Sequence, residues 1–309
     1  MTDHKVHDID AAERRERLRA GTLALNLGGV TVSVRSRHRR VRNWLDAVYA
    51  AHTCLAPGSR VIDCPVTADA VPWHWRVGRP KTRFRFDGTE PFEPAPYAHA
   101  PAMFEWGLNW AIAQRAHWYL MIHAATLQRD GRALILPGRP GTGKSTLATG
   151  LLQAGWQLLS DEFALVSLTD GHLYPLWRPI SLKGQAEAIF RTRRPERMSA
   201  ETFPSAKGRV GFYRPLAEAG EVCQAPVPPA AVVILAFEPG APVSLDKVPA
   251  ADAFLQLAQN SFNYTALGET GFDALVRLTR ASVCRYLRYS DLGEATRQIA
   301  DIVTERLAL

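Results

Sequence analysis

The chain has 309 residues, a net charge of +7 and 47% apolar residues, enough for a sizeable core and for two domains or one domain with a large extension. No run approaches the ~18 uninterrupted apolar residues of a membrane span, and Met1–Arg19 is charged on both signs, unlike a signal peptide. Cys54, Cys64, Cys223 and Cys284 lie far apart without metal-type spacing, so they read as reduced thiols of a cytoplasmic protein.

In chain order, Leu23, Leu25, Leu27, Val30, Val32 and Val34 alternate around Gly28-Gly29, which predicts a β-hairpin. Residues 41–52 read as a short amphipathic helix. The alternation returns at Trp73, Trp75, Val77, Phe84 and Phe86. Residues 89–101 hold four prolines and read as a linker or wrapping segment. The basic runs Arg35 to Arg40 and Arg191 to Arg194 carry no interleaved aromatics, and both read as solvated surface rather than nucleic-acid patches.

Beyond the prolines, residues 104–118 form a Trp- and Ala-rich helical stretch, and 119–127 an apolar strand containing His123. A histidine in such a strand is ordinarily a satisfied core residue. An apolar strand at Ala133–Leu136 then enters Gly138-Arg139-Pro140-Gly141-Thr142-Gly143-Lys144-Ser145, followed by Thr146 and the helical stretch 147–152. This is a complete Walker A phosphate loop. Its backbone N–H groups suit a β-phosphate, Lys144 the β- and γ-phosphates, and the Ser145 hydroxyl a Mg²⁺ ion. The helix N-terminus adds positive dipole, and the glycines permit close backbone approach.

One apolar strand is expected over 157–166, with Asp161-Glu162 at its end. In a phosphate-loop fold, one such carboxylate completes Mg²⁺ coordination and the other takes the proton of an attacking hydroxyl or orients a water. Another strand is expected over 231–237, and helices over 250–259 and 271–280. Alternating strands and helices predict an α/β architecture. There is no Leu-Ser-Gly-Gly-Gln signature of ABC ATPases and no guanine-reading Asn-Lys-x-Asp, which favours ATP over GTP.

The ordered set of His123-Ala124, Asp130-Gly131, the phosphate loop and Gly155-Trp156-Gln157-Leu158-Leu159-Ser160-Asp161-Glu162 resembles the HPr kinase/phosphorylase catalytic domain. It is similar above all to the HPr-kinase-related kinase A proteins. Glu105 to Trp110, Arg178 to Lys183, Lys207-Gly208, Ser261-Phe262-Asn263-Tyr264 and Tyr289-Ser290-Asp291-Leu292 add to the likeness. The resemblance implies a P-loop kinase core with the mixed β-sheet of HPr kinase and phosphoenolpyruvate carboxykinase over residues 99–309, plus a small β-rich α+β domain over 1–98. It implies Asp161 as base, Glu162 with Ser145 on Mg²⁺, and His123 with Lys144 near the phosphates. Lys207 and Arg209 either neutralise the transferring phosphoryl or form a basic surface loop. Arg178 and Lys183 either contact phosphate or substrate or are structural.

The chain departs from HPr kinases in carrying Asp-Glu for Asp-Asp, and it lacks their Arg-Gly-Leu-Gly stretch, so HPr itself is not the expected substrate. The expectation is therefore an ATP- and Mg²⁺-dependent kinase acting on a Ser or Thr hydroxyl of a peptide or small protein, as in a peptide-modification system. The alternatives are a nucleotide-dependent sensor without transfer and a small-molecule kinase. Neither a nucleic acid nor a membrane is an expected partner. Oligomerisation is expected only because HPr kinases are oligomeric.

Overall fold

The computed structural model describes residues 3–71, 80–139, 141–205, 208–217 and 220–305. The chain forms two compact units that interleave in sequence: Met1–Ala116 with Ser181–Ala217, and His117–Ile180 with Glu218–Leu309. These units do not follow a division at 98/99. Helix Ala100–Arg115 and the excursion 181–217 both fall with the first unit.

The first unit holds a seven-stranded sheet. Its order is His4–Lys5, Thr53–Cys54, Leu23–Asn26, Thr31–Arg35, Cys64–Ala70, Lys81–Phe86, Ala95–Pro96. The hairpin expected around Gly28-Gly29 is present, with Leu23 opposite Val34. Trp73, Trp75 and Val77 lie outside the described residues. The proline-rich stretch is no free linker. Its Ala95–Pro96 strand closes the sheet edge, a position where proline's missing N–H breaks no ladder.

Helix Ala100–Arg115 packs on strands Cys64–Ala70 and Lys81–Phe86. Gly107 permits that approach, because a Cβ there would stand 2.3 Å from the Phe84 ring. Helix Arg39–Val48 buries Val41, Trp44, Leu45 and Val48, a helical stripe in which each full burial contributes about 1.5–3 kcal/mol. Trp44 Nε1 and Tyr49 Oη both donate to the buried Glu105 carboxylate, at 2.9 and 2.8 Å. A three-stranded sheet in the order Ile180–Lys183, Gly208–Tyr213, Phe203–Ser205 accompanies the excursion.

The second unit is a mixed α/β layer around an eight-stranded sheet. Strand Arg132–Pro137 pairs in parallel with Pro229–Phe237, which pairs in parallel with Val283–Tyr289. Arg132–Pro137 and Pro229–Phe237 read as largely apolar runs, as strands buried on both faces do, whereas Val283–Tyr289 carries Arg285 and Arg288 and is only partly buried. On the other side of Arg132–Pro137 the sheet turns antiparallel, through Tyr119–Arg129, Phe163–Ser167 and Leu173–Tyr174. Leu120, Ile122 and Ala124 join Ala253, Leu257, Ala274 and Leu275 of helices Ala250–Gln259 and Tyr264–Arg280 in one core. Side chains alternate along a strand, so His123 faces away from that core. Helix Lys144–Gln153 touches the same strand. Among the described residues no helix is long and apolar enough to cross a membrane. All four cysteines are buried, and among the described residues none forms a disulfide.

Candidate functional site

The site begins where strand Arg132–Pro137 ends and helix Lys144–Gln153 starts. The intervening turn holds Gly138, Arg139, Gly141, Thr142 and Gly143, with Ser145 and Thr146 in the first helical turn; Pro140 lies outside the described residues. Thr142 Oγ1 donates to the Arg139 carbonyl at 3.0 Å and tightens the turn. Gly143 is the N-cap, at φ +93°, with no side chain to satisfy the helix's first N–H groups. Donors left open in this way, with the dipole behind them, suit an anion. A Cβ on Gly143 would meet the Tyr289 hydroxyl at 2.2 Å. That hydroxyl donates to the Gly143 carbonyl at 3.4 Å, and burial pushes its pKa up to about 12. Tyr289 therefore clamps the loop from the end of a neighbouring parallel strand.

Lys144 is only 6% exposed, and its ammonium is folded back onto the loop. Nζ donates to the carbonyls of Gly138 and Arg139, the latter at 3.1 Å, and stands 3.3 Å from His123 Nε2. Burial lowers its pKa, while Asp161 and Glu162 act in the opposite sense. His123 Nδ1 lies 3.2 Å from the Glu162 carbonyl. A carbonyl only accepts, so Nδ1 carries the proton and Nε2 is left to accept from Lys144. The histidine thus joins the lysine to the acidic turn. Its backbone N–H donates to the Asn260 carbonyl at 2.7 Å, and Phe262 meets its ring edge-on at 5.9 Å.

The single apolar strand expected over 157–166 is two. Gln157–Ser160 and Phe163–Ser167 both pair antiparallel with Tyr119–Arg129. A register irregularity after Leu158 and a hydrogen bond from the Phe163 N–H to Ser160 Oγ, 3.2 Å, make the break. Asp161 and Glu162 follow directly on the end of strand Gln157–Ser160, where the sequence places them, and form the bend that leads into the second strand.

Asp161 is buried, and its Oδ2 accepts from Ser145 Oγ at 3.0 Å. Its other oxygen, Oδ1, is buried without a partner. Burial, then the Glu162 charge, raises the Asp161 pKa to about 7; Ser145, Lys144 and Arg178 oppose this. Arg178 is itself buried, so its charge acts through little solvent. Glu162 is about one-third exposed. An orphaned carboxylate oxygen beside a loop hydroxyl and a second carboxylate fits a hard divalent cation, which takes oxygen ligands and keeps part of its water.

Of the remaining candidates, Lys183 is exposed at the end of strand Ile180–Lys183 and belongs to the first unit. Arg209, also of the first unit, donates to Thr202 Oγ1 and its carbonyl at 2.7 and 2.6 Å. Lys207 lies outside the described residues.

Two supporting residues carry no role in the sequence reading. Tyr289 is the loop clamp. Asn263 is buried and brackets the histidine strand, accepting from the Met121 N–H at 2.9 Å and donating to the Tyr119 carbonyl at 2.8 Å. Both stand in stretches singled out by resemblance, which marks the segments but not the hydrogen bonds.

No protein-family model matches the chain, and no curated protein does. Among solved structures the chain is similar to the HPr(Ser) kinase/phosphatase of Coxiella burnetii, at 10% identity and a TM-score of 0.29, covering 61% of this chain and 97% of that one. A likeness at that level assigns neither fold nor activity.

Proposed function

We propose that the chain is a phosphotransferase that moves the γ-phosphoryl of ATP, with Mg²⁺, to a Ser or Thr hydroxyl of a peptide or small protein. The observation that carries this reading is the contact of Ser145 Oγ with Asp161 Oδ2, 3.0 Å, which leaves a buried second carboxylate oxygen free. A buried carboxylate beside the loop hydroxyl supports binding of a Mg²⁺-nucleotide, the condition that any phosphoryl transfer from it must meet. The turn from Gly138 to Gly143 and the uncapped helix end bind the phosphates. Lys144, released from the loop carbonyls, meets the phosphate charge that replaces them.

Ser145 and Glu162 would hold Mg²⁺ beside the Asp161 carboxylate, and when bound the ion would neutralise charge on the phosphate oxygens. Asp161, near neutrality in its pKa, accepts the proton of the attacking hydroxyl once ionised. His123, neutral between Lys144 and Glu162, keeps the two charged groups in register. Arg178 adds positive charge beside the acid pair. The catalysis expected of such a set is positioning and charge neutralisation.

The test is transfer of label from γ-labelled ATP to polypeptide in a cell extract, comparing the wild type with Asp161→Asn. The variant should keep nucleotide binding and lose label transfer by about 10²–10⁴-fold. Label appearing only on a metabolite would replace the acceptor class. Tight ATP binding without transfer to anything would replace the kinase by a nucleotide sensor.

A further inference from the structure

The first unit carries two cavities side by side that the phosphate site does not use. One is a groove of about 550 Å³ beside helix Arg39–Val48, with Trp44, Ala200 and Phe203 on its apolar walls and Arg39, Arg40 and Glu201 at its edge. The other is a cleft of about 260 Å³ between helices Ala11–Ala20 and Arg39–Val48, lined by Arg15, Arg19, Arg37 and Arg42. Arg39, Arg40 and Arg42 stand on one helix, so the cleft and the groove border the same element from its two sides. None of these six arginines forms an ion pair among the described residues. Asp69, the acid this segment meets, is taken by the Arg37 backbone N–H at 2.6 Å.

The basic run at Arg35 to Arg40 lacks aromatics in sequence, but the fold supplies them from elsewhere. Trp44 is held by its hydrogen bond to Glu105 and by edge contacts with Phe203 and Phe212 at 5.1 and 4.5 Å. The groove wall is therefore rigid before any ligand arrives, which spares the ordering cost of binding.

We infer that this surface docks a short acidic peptide segment bearing one large apolar side chain, with the apolar residue in the Trp44–Phe203 groove and its neighbouring carboxylates on the arginines. Unpaired guanidiniums demand an anionic partner and pair carboxylates bidentately. The apolar walls demand a side chain rather than a bare anion. Naming this peptide class as the acceptor's rests on the phosphotransferase reading; the binding itself does not.

The test is fluorescence anisotropy with the full chain, without nucleotide, on a labelled peptide of Asp and Glu residues around a single Phe. The controls are the same peptide with Phe replaced by Ala, the peptide with its acids replaced by amides, and a labelled single-stranded oligonucleotide. The acidic Phe peptide should bind best, and more weakly as salt rises. The double variant Arg37→Glu/Arg42→Glu and the groove-filling Ala200→Trp should each weaken it about tenfold. Both sites are surface positions, so the fold survives.

The inference is overturned if the acidic Phe peptide shows no saturable binding, if the oligonucleotide binds as tightly, or if neither variant changes the affinity. Peptide binding with no phosphotransfer to any polypeptide removes the kinase reading and leaves the docking surface standing. Transfer to a polypeptide without binding of the acidic Phe peptide does the reverse.

Discussion

The phosphate-loop site and the basic surface of the first unit handle charge in opposite ways. Around the loop polar groups are spent on one another: Lys144 on two carbonyls and His123, Ser145 on Asp161 Oδ2, His123 on the Glu162 carbonyl. On the first unit, Arg15, Arg19, Arg37 and Arg42 line a cleft without a carboxylate opposite. The first arrangement is desolvated, and its interactions are strong and exacting in geometry. The second is solvated, screened by salt, and suited to attracting a partner rather than to chemistry on it. A chain that separates the two can tune recognition without disturbing the reacting groups.

The comparison can be broken at several points. Lys144→Ala should have the largest effect, a loss of phosphotransfer of about a hundredfold or more, with the circular dichroism spectrum unchanged. Full retained activity would remove the lysine from the phosphate site. The same substitution should leave acidic-peptide binding at the arginine surface untouched.

Asp161 gives a pH-dependent signature. Its pKa is raised from 3.8 to about 7, so between those values the native state holds a proton that the unfolded chain releases. Its contribution to stability is then fully present below about pH 4 and is lost as pH rises through 7. Asp161→Asn should flatten that part of the thermal-melting profile of the metal-free protein and stabilise it above pH 7. Identical slopes in the two proteins would show that burial does not raise this carboxyl.

Glu162→Gln should raise the Mg²⁺ requirement more than the ATP requirement in titrations of each. Unchanged metal dependence would make the residue a partner of His123 alone. The smallest expected effect is Tyr289→Phe, which removes one hydrogen bond to the loop and should weaken nucleotide affinity by about 1 kcal/mol. Equal affinity by calorimetry would mean the ring alone holds Gly143 in place.

Much of this was legible in the residues. The phosphate loop is a local pattern: its glycines and its flanking apolar runs encode a strand, a turn and a helix within twenty or so residues, and the structure has all three in that order. The Leu23–Val34 alternation likewise encodes its hairpin. The Asp161-Glu162 pair was legible at the end of a strand, but the second strand that starts just after it was not. An apolar run from 157 to 166 looks like one strand because hydrophobicity alone does not report a bend made by the Ser160 hydroxyl on Phe163.

What the sequence by itself determined is the order of the local elements and the glycine-rich turn between strand and helix, because periodicity and positive-φ glycines act over a few residues. The tertiary structure decided the rest. It buried Asp161 against Ser145, sixteen residues away in the chain, and so moved its pKa. It set the proton of His123 through the Glu162 carbonyl, brought Tyr289 onto Gly143 across 146 positions, and put residues 181–217 with the first unit. Each of these depends on desolvation or contact between distant segments, and no short window of sequence carries that information.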